Sequence, residues 1–222
     1  MEVRTKPGIT RLNAAALAVA GVLFAVYPMV RPYSDETTLA GAAAMASPAW
    51  IVAHLAAVAG FILIPFGLRA LDGAPGRAAL VASWLGAGLT LPYYGAEVFG
   101  ANAIGRRALD TGDQSLLRVV DAMRFNPAAA TLFAAGLLLL AAAGILTAVA
   151  VGRAGTFRWA GIPFALAFAL FIPQFFGSPA LRVAHGLLTA LGCLLLAFAV
   201  TRSPAVKPEL TSPTGTLVTN RS

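Results

Sequence analysis

The sequence predicts an all-α integral membrane protein: a bundle of six spanning helices, with one interfacial amphipathic helix between spans three and four. Three observations carry that expectation. Of the 222 residues, 59% are hydrophobic and only 11% charged, whereas soluble domains carry about 25% charged residues. Polar residues gather in short clusters between apolar runs of about twenty residues, the length that crosses a bilayer. The basic residues flank those runs, as membrane topology requires. The net charge of +7 therefore reads as a topology signal and not as a nucleic-acid surface.

Taken in order, residues 1–11 form a basic N-terminal segment holding Arg4, Lys6 and Arg11. Leu12–Val30 is the first span. A basic start before an apolar run also describes a signal peptide, but the run is long and no small-x-small cleavage site follows closely. Arg31–Ser47 reads as a loop with Asp35 and Glu36. Ser47-Pro48 has the chemistry of a helix start, a serine cap followed by proline in the first turn, and Pro48–Leu68 is the second span. After the polar turn Arg69–Arg77, Ala78–Ala101 is the third. Asn102–Asn126 is a long polar segment whose second half, Asp113–Phe125, reads as amphipathic. Leu116, Leu117, Val120 and Met123 take one side there, and Arg118, Asp121 and Arg124 the other. Such a helix is expected to lie on the membrane surface. Pro127–Val151 is the fourth span, Trp159–Phe176 the fifth and Pro179–Val200 the sixth. Residues 201–222 are rich in Pro, Thr and Ser and read as a disordered tail. Cys193 lies mid-span and has no second cysteine to pair with.

Six spans put both ends of this chain on one side. That side collects ten Lys and Arg residues against six on the other. The six are also offset by Asp35, Glu36, Asp110, Asp113 and Asp121. The bias predicts a cell-membrane protein with both termini cytoplasmic.

Glu97 is the only acid placed inside a span, where a carboxylate needs a partner, a cavity or a proton. Tyr93, Thr90 and Gly86 precede it at helical spacing on one face, and Arg182 or Arg106 is its expected partner. Pro92 beside it removes a backbone donor and frees the carbonyl four residues earlier. Segments 47–54 and 178–185 read SPAWIVAH and SPALRVAH. They place His54 and His185 six residues past a proline, each about 9 Å from the outer end at 1.5 Å per residue. Glu97 lies about 6 Å deep by the same rise. Tyr93, Gln174 and Arg182 share that layer, while the inner halves carry almost nothing polar. A one-sided polar layer argues against a transporter or channel, which needs polar lining through both halves.

Three functions fit the layer. The first is an outer-leaflet pocket for a lipid, a hydrophobic small molecule or a partner, lined by Trp50, Tyr94 and Gln174 among others. The second is a b-type haem held by His54 and His185, with Arg182 on a propionate; small Ala53, Ala184 and Gly186 would let the ring approach. A metal bound by the two histidines and Glu97 is a variant of this idea. The third is a membrane enzyme using Glu97 and Tyr93 for acid–base chemistry on an isoprenoid or lipid, with Glu97 raised in pKa by desolvation. The sequence carries no Ser-His-acid triad, CxxC, HExxH, phosphate loop or dinucleotide fingerprint.

Overall fold

Side-chain caps and prolines set most of the helix starts. Thr38 accepts from the Gly41 N–H at 3.3 Å and opens α2, Leu39–Ala46. Ser47 accepts from the Trp50 N–H at 3.2 Å and opens α3, Pro48–Leu68. Asn126 accepts from the Ala128 N–H at 3.0 Å and opens α7, Pro127–Ala154. These are the polar residues that satisfy orphan donors at helix starts. The other long helices are α1, Pro7–Val30; α4, Gly73–Gly95; and α10, Pro179–Arg202. This computed structural model describes residues 7–155 and 157–202, with side chains from residue 10 onward. Residues 1–6 and 203–222, which hold most of the expected N-terminal segment and tail, lie outside it. Every element among the described residues is helical.

Among the described residues, four helices are long and apolar enough to cross a membrane: Thr10–Val30, Pro48–Leu68, Pro127–Ala154 and Pro179–Arg202. The other two expected spans differ in kind. The third lies in α4, which continues through a π turn, Ala96–Ala101, into α5, Asn102–Thr111. At 1.5 Å per residue this unbroken 73–111 helix is roughly 58 Å long, well beyond a hydrocarbon core. The fifth is split at Leu170 into α8, Gly161–Ala169, and the short α9, Phe171–Gln174.

The long helices form a closed ring in the order α1, α3, α4, α7, α8, α10, each packed on the next. Aromatic rings fill its middle. Phe24 meets Phe61 at 5.0 Å and Phe171 at 5.9 Å, both edge to face. Phe61 in turn meets Tyr94 at 5.3 Å.

One end of the ring carries a cap with its own small core. There α2, α5 and α6 (Leu117–Arg124) bury Ala42, Met45, Ala101, Ala108, Leu117 and Val120 around Trp50. Two expectations change here. The stretch after residue 101 is helix and not a polar loop, because Ala101, Gly105 and Ala108 make a small-residue stripe that lets α2 come close. A Cβ on Gly105 would stand 2.8 Å from the Ala42 carbonyl. The Asp113–Phe125 helix is shorter, a 3₁₀ turn at 114–116 followed by α6, and its apolar face is covered by protein. Gly112 separates α5 from this turn at φ +67°, a left-handed conformation that glycine adopts without strain.

Candidate functional site

Glu97 sits in the π turn at the foot of the cap. A π turn holds one residue more than an α turn and is a recurrent feature of functional sites. Its backbone carbonyl accepts the Trp50 indole N–H at 2.7 Å, which ties α3 to the turn. Its carboxylate meets Arg124 on both oxygens: Nε donates to Oε1 at 2.5 Å and Nη2 to Oε2 at 2.8 Å. The partner is therefore Arg124 and neither Arg182 nor Arg106. The cap folds α6 back over the end of α4, so its last residue reaches inward.

The chain of charges runs further. Arg124 Nη1 donates to Glu36 Oε2 at 2.5 Å, and Arg31 Nη2 donates to Glu36 Oε1 at 2.5 Å. The Arg31 guanidinium then lies 4.7 Å over the Trp50 ring. Arg31, Glu36, Arg124, Glu97 and Trp50 thus form a closed circuit joining the end of α1, the start of α3, the π turn and α6. Burial opposes the charge on Arg124, but the Glu97 and Glu36 carboxylates outweigh it and raise its pKa. Burial would raise Glu36, yet Arg124 and Arg31 outweigh it and hold the carboxyl below its ordinary value of 4.5. A depressed acid stabilises the fold above its unfolded pKa and loses that contribution as pH falls through the folded value. The melting-temperature gap between wild type and Glu36→Gln should therefore be present at neutral pH and close as pH drops below 4.5. A gap that stays constant down to pH ~3 would count against this pairing.

Below the ion pair lies a cleft of about 260 Å³. Leu89, Pro92 and Tyr93 of α4 form one wall, with Ala96 of the π turn. Ala129 and Leu132 of α7 form the other, Met123 of α6 roofs it, and Glu97 and Arg124 close its end. Pro92 and Leu132 are exposed at its mouth. Tyr93 is held flat against Phe133, ring centroids 4.1 Å apart.

Of the candidate site residues expected from the sequence, Glu97 and Tyr93 line this cleft, with Pro92 beside them. Trp50 backs the ion pair. His54 lies in the aromatic core: its Nδ1 bonds the Trp50 carbonyl one turn back at 2.7 Å, and its ring packs on Trp50, Tyr27 and Tyr94. Gln174, Arg182 and His185 line a separate crevice of about 10 Å³, room for about one water. It lies by the α1–α10 seam, across the ring from α4 and α7. His185 Nε2 bonds the Ala167 carbonyl at 2.7 Å, near the end of α8, where carbonyls run short of helical donors. Arg182 donates to the Phe175 carbonyl at 2.5 Å and the Gly177 carbonyl at 3.2 Å, bracing the turn before α10. The expected convergence on one polar pocket is thus replaced by three places, the cleft, the aromatic core and the crevice, because equal depth does not fix which side of a ring a residue faces.

This geometry does not fit a haem held by His54 and His185. Phe61, Phe171 and Tyr94 fill the space between them, and each imidazole is bonded to a backbone carbonyl. The metal variant fails similarly: among the described residues no three His, Cys, Asp or Glu side chains group to hold an ion. Arg31, Glu36, Arg124, Met123 and Leu132 were not foreseen as site residues. One signal did exist for Arg124. It follows Leu117 and Val120 by seven and four residues, the spacing of one helical stripe. Comparisons with known protein families, curated proteins and solved structures return no match.

Proposed function

We propose that this chain is a six-span membrane protein that binds an amphiphile, a lipid or hydrophobic small molecule, in the cleft between α4 and α7 beneath α6. The observation that carries the reading is an apolar cleft of about 260 Å³ that ends on a charge pair. An apolar cavity with a few convergent polar groups is the usual form of a small-molecule site. For the span count, the 23 residues of α4 extend about 35 Å, enough for a bilayer core. The break at Leu170 is compatible with a span because irregular backbone is tolerated where protein covers it, and Phe168 and Phe171 on either side are buried. The Lys and Arg bias directs the cap outward from the cytoplasm and the termini inward, in a cell membrane. Acid–base chemistry on a lipid or isoprenoid would use the same cleft. It would first have to free Glu97, whose two oxygens both face Arg124.

The test is mass spectrometry of lipids that co-purify with wild type and with Leu132→Trp, whose ring would fill the mouth. Leu132 is 44% exposed, so the larger side chain has room to fold. A lipid class enriched with wild type and largely lost from the variant is the expected result. Identical lipid profiles would remove the binding reading.

A further inference from the structure

We infer that the occupant is an uncharged lipid with a hydroxyl head, its head against the Glu97–Arg124 pair and its chain leaving between Pro92 and Leu132 into the bilayer. This inference rests on the binding role proposed above and names the ligand class.

Charge is the first argument. The circuit contains two cations, Arg31 and Arg124, and two carboxylates, Glu36 and Glu97, each acid already against a guanidinium. An anionic head would have to draw Arg124 away and would leave a nearly buried carboxylate without its partner, a costly arrangement. A cationic head would face Arg124 itself. Only a neutral head leaves the circuit intact.

Hydrogen-bonding capacity is the second. A guanidinium has five N–H donors, and Arg124 directs Nε, Nη1 and Nη2 at carboxylates through three bonds. N–H groups remain on it, and the carboxylate oxygens keep spare lone pairs. A hydroxyl both donates and accepts, so one such group can answer both.

Shape is the third. The cleft volume of about 260 Å³ is just below that of sites enclosing a whole small molecule, about 300–1,000 Å³. It suits a head and the first part of a chain. Outside the mouth, Gly88, Pro92 and Gly95 fall at helical spacing on one stripe of α4. A Cβ on either glycine would meet nothing within 4 Å. The stripe is open surface along which a chain can lie.

The experiment uses the full chain in phosphatidylcholine nanodiscs with a photoreactive diacylglycerol. Unlabelled dioleoylglycerol and dioleoylphosphatidic acid compete; they share chains and differ only in the phosphate. We expect labelling of α4 and α7 in wild type, its loss in Leu132→Trp, and competition several-fold stronger by diacylglycerol than by phosphatidic acid. Glu97→Gln, which releases the cation, should shift the preference toward phosphatidic acid; no shift in folded variant would overturn the charge argument. Equal competition by both lipids, or stronger competition by phosphatidic acid, would overturn the hydroxyl inference and leave the binding role standing. No labelling of α4 or α7 by the diacylglycerol probe or by a photoreactive phosphatidic acid run in parallel, together with no effect of Leu132→Trp on the co-purified lipids, would overturn both.

Discussion

Arg124→Ala should lower stability by about 3–5 kcal/mol, toward the lower end of that range, because it strips the partner from a nearly buried carboxylate. The side chains of Glu97 and Arg124 are 7% and 16% exposed, so water at the cap screens little of the pair. Removing the guanidinium also strands Glu36, which keeps only Arg31. α6 then loses its fastening to the π turn. The loss should show as a large drop in the melting temperature of the detergent-purified protein. Arg124→Leu combined with Glu97→Gln should recover much of it, since replacing both members of a buried pair with neutral groups is often tolerated where breaking one is not. If Arg124→Ala melts with wild type, or the double variant is no better than the single, the ion pair does not fasten the cap.

Helix identity was legible where apolar runs were long, and the Ser47 cap was readable as chemistry. The α2–α5 part of the cap was not legible, because those helices are held together by small residues. Ala42, Ala101, Gly105 and Ala108 leave no stripe of large side chains to find, and α2 reads as an alanine-rich loop. The spacing placed the polar residues in one layer by height, yet height along a helix says nothing about azimuth in a ring. Glu97 and His185 face different seams. The neighbour order around the ring depends on contacts such as Gly86 on Gly136, which connect residues far apart in the chain. The twin Ser-Pro segments illustrate the limit. Ser47 and Ser178 each accept a backbone N–H at a helix start, but His54 turns to its own helix and His185 to α8. Similar local sequence fixed similar starts and different partners.

The second large effect is expected at the α4–α7 seam, which forms the cleft walls. Gly136→Val should destabilise the protein by about 1–3 kcal/mol or more, the range for forced overpacking. A Cβ at Gly136 would stand 2.5 Å from Thr90 Oγ1 and 2.8 Å from the Gly86 carbonyl oxygen. The second of these is backbone and cannot swing aside, and Thr90 is pinned because its hydroxyl donates to the same carbonyl at 2.8 Å. The helices must separate to admit the side chain, which would open the cleft between Tyr93 and Leu132 and weaken any ligand held there. Gly88→Ala is the matched control on α4. It meets open space and gains helix propensity of up to about 1 kcal/mol. Thermal unfolding in detergent should therefore put the two glycine variants on opposite sides of wild type. A Gly136→Val protein as stable as Gly88→Ala would mean that α4 and α7 do not approach this closely, and the cleft between them would lose its walls.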